Sequence, residues 1–180
     1  MSWHQSLGYG KKRQTDDFYV TPNIAVEKLL KVEKFENPIW ECACGNGAIS
    51  KILERHGYIV ISSDLRTDDN IYGEKGIDFL YSKKDVKTII TNPPFKLFNE
   101  FILRALNLAE KVVMFGRIQA LEGQERFDKI YSKNPPIRIY VFSKRVSTTK
   151  EGEGKANGTI CFAWFVWEKD FKGKTVIEWI

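Results

Sequence analysis

Apolar residues along this chain form two kinds of pattern, which alternate from one end to the other. Short, nearly continuous apolar runs predict buried strands over residues 38–44, 58–63, 88–91, 112–115, 137–142 and 160–167. Helices are expected after Pro22, after Gly47, over 98–109 and over 120–132. This alternation favours an α/β fold with a doubly wound, mostly parallel sheet covered by helices on both faces.

The two ends of the pattern give more specific expectations. Thr21 is expected to cap the first helix, with Pro22 in its first turn. The run 160–167 is apolar at nearly every position, which predicts a central strand with Trp164 and Trp167 in the core. Residues 175–179 are expected to form a short last strand that pairs with this run as a hairpin.

Length and composition indicate one globular domain. A chain of 180 residues suits a single core. Its 43% hydrophobic and 28% charged residues are the balance of an ordinary soluble protein. We expect the domain to cover residues 18–180. A flexible basic arm over 1–17 precedes it, and a flexible, partly basic loop over 143–158 interrupts it.

Other whole-chain features narrow the class of protein. No apolar run approaches the ~20 residues that span a bilayer, and the first residues lack the apolar core of a signal peptide. Cys42, Cys44 and Cys161 are expected to be reduced, without a zinc-like cluster. We therefore expect a cytoplasmic protein with no metal and no membrane partner. The net charge of +5 and pI near 9.0 slightly favour a polyanionic partner.

The first candidate site is a glycine turn between a predicted strand and helix, over residues 41–47. Glycines let a ligand approach the backbone, and a helix N-terminus favours negative charge. Asp64 ends the next strand, 19 positions after Gly45, where a carboxylate can accept both hydroxyls of an adenosine ribose. A dinucleotide fold has a similar pattern, but Ser50 stands where its third glycine is expected. A tight turn without a ligand is the other interpretation.

The second candidate site is the tetrapeptide Asn92-Pro93-Pro94-Phe95, which follows a predicted strand. In a doubly wound sheet, ligands bind beyond the carboxyl ends of strands, so this segment and the glycine turn face one crevice. The Asn92 side chain and the rigid carbonyl of Pro93 can accept both hydrogens of an exocyclic amino group. Phe95 offers a flat face for a base, a contact worth about 1–3 kcal/mol.

With these motifs, the chain resembles the amino-nitrogen methyltransferases of the seven-stranded S-adenosylmethionine (SAM) fold, which has one antiparallel strand, and especially DNA adenine-N6 enzymes. Residues 92–95 match the hallmark (D/N/S)-P-P-(Y/F/W), and residues 41–47 match E-P-A-C-G-x-G except that Cys42 replaces proline. The resemblance is nearest to small phage or prophage members, which also carry the Leu121-Glu122-Gly123 stretch. It implies catalytic roles for Asn92, Pro93, Pro94 and Phe95.

The resemblance also implies SAM as the cofactor and a set of residues that bind it. Residues 19–22 are similar to the motif in which Thr and Pro approach the methionine end of SAM. Asp64 corresponds to the ribose-binding acid, and the Asp of residues 78–80 to the acceptor for the amino group of the cofactor adenine. The implied cofactor-binding residues are Tyr19, Thr21, Pro22, Glu41, Ala43, Gly45, Gly47, Asp64, Asp78, Phe79 and Asn92.

The expected function is methyl transfer to adenine N6 in DNA, with the base flipped into the pocket of residues 92–95. Restriction-type members carry a target-recognition domain for which this chain has no room. Recognition of a DNA sequence would then depend on residues 2–17, on residues 143–158 or on a second subunit. Site-specific and low-specificity methylation therefore both stay open. A monomer and a homodimer are equally compatible with the sequence. Arg117 follows a strand end, where it can reach a phosphate or stay solvated.

Three alternatives stay open at this point. The same tetrapeptide serves methylation of RNA, at adenine N6 or guanine N2, and of a protein glutamine amide. A catalytically silent SAM-fold subunit is an alternative of another class, although the intact tetrapeptide argues against it. A nicotinamide dehydrogenase is disfavoured by Ser50 and by the tetrapeptide.

Overall fold

The computed structural model describes residues 19–146 and 160–180, which form a single eight-stranded sheet. Its strands are β1 (Ile39–Glu41), β2 (Val60–Asp64), β3 (Glu74–Lys75), β4 (Thr88–Thr91), β5 (Lys111–Arg117), β6 (Arg138–Val141), β7 (Phe162–Glu168) and β8 (Val176–Trp179). Their order across the sheet is β3-β2-β1-β4-β5-β7-β6-β8. The predicted doubly wound α/β fold is confirmed.

Helices cover both faces of this sheet. The helical elements are α1 (Asn23–Val32), α2 (Ser50–Arg55), α3 (Phe98–Leu106), α4 (Gln124–Arg126), a π-helical turn Phe127–Tyr131, and 3₁₀ turns Phe95–Leu97 and Ile118–Leu121. Successive residues of a strand point to opposite faces, so Val113 packs in the core under α1 and α2. Val112 packs in the core under α3. The region expected to be helical over 120–132 consists of three short helical segments: the 3₁₀ turn that ends at Leu121, α4 and the π-helical turn.

Strand directions agree with the sequence in the centre of the sheet and differ at one edge. β7 is antiparallel to both neighbours, β5 and β6, and it is fully central as predicted. Trp164 and Trp167 are 0% and 1% exposed, which confirms their place in the core. The expected hairpin between β7 and the last strand is wrong, because β8 pairs in parallel with β6. All residues of β8 are exposed, and the strand beyond the seven expected from the sequence is β3.

The first helix begins in a way that the sequence did not indicate. Its N-terminal cap is Pro22, and no side chain makes a capping hydrogen bond. Thr21 is buried, with 3% exposure, so the expected cap by Thr21 is wrong. The Pro22 carbonyl instead accepts the N–H of Ala25, at 2.9 Å.

Several expectations concern segments that the structure does not describe. The basic arm over 1–17 lies outside the described residues, as does the loop over 143–158 beyond residue 146.

The three cysteines are free thiols, with Cys42 and Cys44 buried. In the two described ranges, every helix is too short or too polar to traverse a lipid bilayer.

A buried ionic cluster lies at the amino ends of β5 and β6. Glu33 is 4% exposed and accepts hydrogen bonds from Lys111, from Arg138 at 2.6 Å and from Tyr140 at 2.8 Å. Glu168 pairs with the same Lys111 and Arg138, at 3.5 and 3.3 Å. Burial alone would raise the pKa of Glu33, but these hydrogen bonds hold it below its ordinary value. The cluster joins α1 to three strands.

Candidate active site

The side-chain amide of Asn92 is fixed at the carboxyl end of β4. Its Nδ2 donates a hydrogen bond to the main-chain carbonyl of Tyr19, at 2.9 Å. Its Oδ1 is buried and has no hydrogen-bond partner among the described residues. A buried acceptor without a partner costs about 1–3 kcal/mol, so such groups are rare outside functional sites. The geometry leaves one oriented acceptor for an N–H group of a ligand.

The two prolines that follow hold the chain rigidly. Pro93 is buried and Pro94 is half-buried, with φ −54° at Pro94. The carbonyl of Pro94 accepts the N–H of Leu97, at 2.9 Å, and so starts the 3₁₀ turn that leads into α3. The sequence hypothesis assigned the amino group to the other carbonyl, that of Pro93. These contacts fix both the loop and the start of α3.

Phe95 is half-buried and lies among aromatic and cationic groups. The ring of Tyr19 is stacked on it with centroids 5.6 Å apart, and the ring of Phe162 lies at 5.9 Å. The guanidinium carbon of Arg117 lies over the ring, 4.3 Å from its centre. Such a cation–π contact is worth about 0.5–2 kcal/mol. The ring that was predicted to stack on a base therefore has a cation over it in this structure.

The glycine turn after β1 is held by backbone hydrogen bonds and covered by a tyrosine. Gly45 has φ +52°, and its carbonyl accepts the N–H of Tyr72 at 2.8 Å. Gly47 has φ +78°, and a Cβ there would lie 2.5 Å from the ring of Tyr72. The group that lies close to the backbone of Gly47 is therefore the protein's own Tyr72. The sequence predicted a close approach at this glycine but could not tell whether a ligand or another residue makes it.

Asp64 lies where the sequence placed it, beside the glycine turn. Its Oδ2 accepts the N–H of Gly45, and its Oδ1 accepts the N–H of Arg66, both at 2.8 Å. Burial raises the pKa of Asp64, against the effect of these two hydrogen bonds. Each carboxylate oxygen has two acceptor positions, so one on each remains for a further donor.

Glu41 is buried, with 2% exposure, and its carboxyl is bound by the start of α2. Its carboxyl accepts hydrogen bonds from the N–H of Ser50, at 2.7 Å, and from the Ser50 hydroxyl. The same hydroxyl lies 2.6 Å from the hydroxyl of Ser62. Ser50, the residue in place of a third glycine, therefore anchors the buried acid to the first turn of α2. This role could not be inferred from the missing glycine alone.

Burial raises the pKa of Glu41 to about 8, so the group binds its proton more tightly in the folded chain than in the unfolded one. The free energy of unfolding should therefore fall as pH rises from about 4.5 to about 8. Glu41→Gln keeps the shape of the protonated carboxyl but cannot ionise, so the variant should not lose stability as pH rises. We expect urea unfolding to show equal stability at pH 4.5 and a more stable variant at pH 9, by up to about 5 kcal/mol.

Glu125→Gln is the matched control, because this exposed carboxylate forms a surface ion pair with Lys129 across one helical turn. It should leave the pH profile of unfolding unchanged. Parallel pH profiles for wild type and Glu41→Gln would show that Glu41 is ionised in the folded protein.

The remaining predicted residues divide into those near the crevice and those in the core. Asp78 is half-buried, and its Oδ1 accepts the N–H of Leu80 at 3.0 Å. Phe79 is 2% exposed and packs between Trp40 and Phe101, with centroids 5.1 and 4.8 Å away. Its ring is thus a core group, so a contact of Phe79 with the cofactor would have to come from its main chain. Ala43, near the glycine turn, is half-buried.

The structure thus joins the predicted motifs in two pairs. The bond from Asn92 to the Tyr19 carbonyl links the tetrapeptide of residues 92–95 to residues 19–22, across 73 positions of sequence. The bond from Gly45 to Asp64 links the glycine turn to the predicted ribose acid. Arg117 adjoins the first of these links through Phe95, and Tyr72 adjoins the second through the glycine turn. Sequence reasoning gave neither residue these contacts.

Solved structures with the same fold include several methyltransferases. A proposed RNA methyltransferase from Pyrococcus horikoshii superposes with a TM-score of 0.64 and 17% identity over 85% of this chain and 87% of that chain. A modification subunit of a proposed type I restriction enzyme from Vibrio vulnificus YJ016 gives a TM-score of 0.61 and 15% identity over 93% of this chain. This chain spans about half of that subunit, 48% of its length.

A third structure of this fold contains SAM. Magnesium protoporphyrin IX methyltransferase from Synechocystis PCC 6803, solved with bound SAM, gives a TM-score of 0.53 and 12% identity over 82% of this chain and 76% of that chain. No protein-family model and no curated protein sequence matches the chain. At these identities the comparisons establish the architecture: the chain has the Rossmann-like fold of SAM-dependent methyltransferases.

Proposed function

We propose that this protein is a SAM-dependent methyltransferase that methylates a planar amino nitrogen, with adenine N6 in DNA as the favoured target. The observation that carries the proposal is the amide of Asn92. Its Nδ2 is held by the Tyr19 carbonyl, while its buried Oδ1 has no partner among the described residues. An exocyclic amino group supplies the donor that this oxygen lacks.

The residues around the crevice fit SAM. The remaining acceptor positions of Asp64 suit the two ribose hydroxyls, and Asp78 suits the amino group of the cofactor adenine. The Tyr19 carbonyl contacts Asn92, and Tyr19 with the nearby Thr21 and Pro22 is assigned to the methionine end. Glu41 and the ring of Phe79 are left out of this set because they face the protein interior.

The chain's own contribution to the reaction is orientation of the acceptor nitrogen. Adenine N6 is a weak nucleophile because its lone pair is delocalised into the ring. Hydrogen bonds from its two hydrogens to Asn92 Oδ1 and the Pro93 carbonyl would favour the pyramidal nitrogen of the transition state. SAM, when bound, supplies the methyl group. Holding the nitrogen in line with it removes an entropic barrier of several kcal/mol.

The preference for nucleic acid rests on charge and on the stacking ring. The net charge of +5 suits a polyanion. Phe95 can stack on an extruded base and so offset a few kcal/mol of unstacking. One structure with this fold is a modification subunit of a proposed restriction enzyme, and another is a proposed RNA methyltransferase. DNA is the first substrate to test and RNA the second.

The test is to incubate the protein with SAM and unmethylated mixed-sequence DNA, digest to nucleosides and quantify N6-methyladenine by mass spectrometry. We expect a signal that Asn92→Ala removes. Parallel reactions with RNA and with a glutamine-containing peptide identify the target if DNA gives none. Binding of SAM without methylation of any of the three would overturn the proposed activity and favour a silent subunit.

A further inference from the structure

Arg117 places a cation at the ring on which the target base is proposed to stack. Its guanidinium carbon lies 4.3 Å from the centre of the Phe95 ring. Its Nε is buried and has no hydrogen-bond partner among residues 19–146 and 160–180. A guanidinium is always charged and has five N–H donors, so an unpaired buried N–H is a costly arrangement. The resting position of Arg117 leaves a donor unused beside the substrate site.

The backbone of Arg117 is fixed, whereas its side chain is the part that can move. Thr91 and Met114 are paired on the parallel strands β4 and β5. The segments that follow them, which lead to Phe95 and to Arg117, therefore run side by side. Arg117 is still within the sheet, paired in register with Phe162 of β7. Its long side chain can therefore leave the Phe95 ring without any change in the strands.

On the function proposed above, we propose that Arg117 binds a phosphate of the target strand when the target base replaces its guanidinium on Phe95. A base and a guanidinium both stack flat on an aromatic face, so they compete for the same position. The planar fork of N–H donors matches two phosphate oxygens and uses the Nε that is unpaired at rest. Arg117 thus selects nucleotides over nucleosides and over protein amides.

The contact predicts a specific salt dependence of nucleic-acid binding. We would measure binding of a mixed-sequence oligodeoxynucleotide to protein saturated with S-adenosylhomocysteine, by fluorescence anisotropy over a salt series. Arg117→Met keeps an unbranched chain against Phe95 but loses the charge. We expect roughly tenfold weaker binding at low salt, with the slope of log K against log salt reduced by about 1. Arg117→Lys should retain most of the slope.

Arg55→Met is the matched control, since Arg55 is an exposed arginine on α2 whose ion pair with Glu27 is long, at 3.9 Å. It should leave affinity and slope unchanged, and thermal unfolding checks that all variants fold. An unchanged slope for Arg117→Met would show that Arg117 merely packs on Phe95 and would overturn the inference. Wild type that binds neither DNA nor RNA overturns the inference and the proposed function together. A reduced slope without methyl transfer supports the phosphate contact and overturns only the reaction.

Discussion

Replacing Asn92 by alanine is expected to lower the turnover number for methyl transfer about 100- to 1,000-fold, the range found when one preorganised hydrogen-bonding group is removed from an active site. The reason is the buried Oδ1, which is aimed by the bond from Nδ2 to the Tyr19 carbonyl. Alanine leaves the amino nitrogen with one acceptor in place of two. Transfer of a labelled methyl group from SAM to DNA, at saturating concentrations of both, measures the change.

Two further measurements show whether the loss arises from chemistry. Calorimetric titration with S-adenosylhomocysteine should give near wild-type affinity for Asn92→Ala, because Asp64 and Asp78, which are proposed to bind the ribose and the adenine, lie elsewhere in the chain. Asn107→Ala is the matched control: its exposed amide donates only to the Leu103 carbonyl, at 2.8 Å, near the end of α3. Full turnover in Asn92→Ala would refute the proposed role of the amide.

The second large effect concerns stability and arises from the ionic cluster at the amino ends of β5 and β6. Glu33→Ala is expected to lower the free energy of unfolding by about 3–5 kcal/mol, because the partly buried Lys111 and Arg138 would keep only their longer contacts to the more exposed Glu168. For a chain of this length the melting temperature should fall by roughly 6–20 °C. Scanning calorimetry measures it, and Glu33→Gln should recover only the neutral bond from Tyr140.

The pH dependence of this effect has a definite sign. The pKa of Glu33 is held below its ordinary value, so its stabilising contribution is present above about pH 4.5 and is lost as pH falls through the folded-state pKa. The difference between wild type and Glu33→Ala should therefore shrink in acid. Glu110→Gln removes an exposed pair with Lys87 and should leave the melting temperature unchanged. If Glu33→Ala has the same melting temperature as wild type at pH 7, the cluster does not stabilise the fold.

The centre of the fold could be predicted from the sequence because burial dictates the pattern there. The unbroken apolar run that became β7 has no polar face, so it had to lie between two other strands. The last strand was misassigned because β8 is exposed at all four residues and carries no comparable constraint. Its partner was decided by the free edge of β6. β3 has two charged residues, Glu74 and Lys75, and gave no apolar signal.

The candidate site was predictable as a set of motifs and not as a set of contacts. The place of Asn92 followed from the strand before it, whereas its bond to Tyr19 joins segments whose distance only the folded chain determines. Glu41 and Phe79 occur in the expected motifs, yet their side chains pack inward against Ser50 and Trp40. Sequence motifs fix which backbone lines a crevice, while packing of the particular core decides which side chains enter it.

The central position of β7 has a consequence for how the protein is made. β6 pairs only with β7 and β8, and β5 leaves one edge open until β7 arrives. During synthesis, that edge of β5 and the whole of β6 therefore stay unpaired until residues 162–168 have emerged. Pairing between distant segments is slow, and unpaired apolar edges favour aggregation. The yield of folded protein should thus depend most on conditions that protect the nascent chain, such as low temperature or an available chaperone.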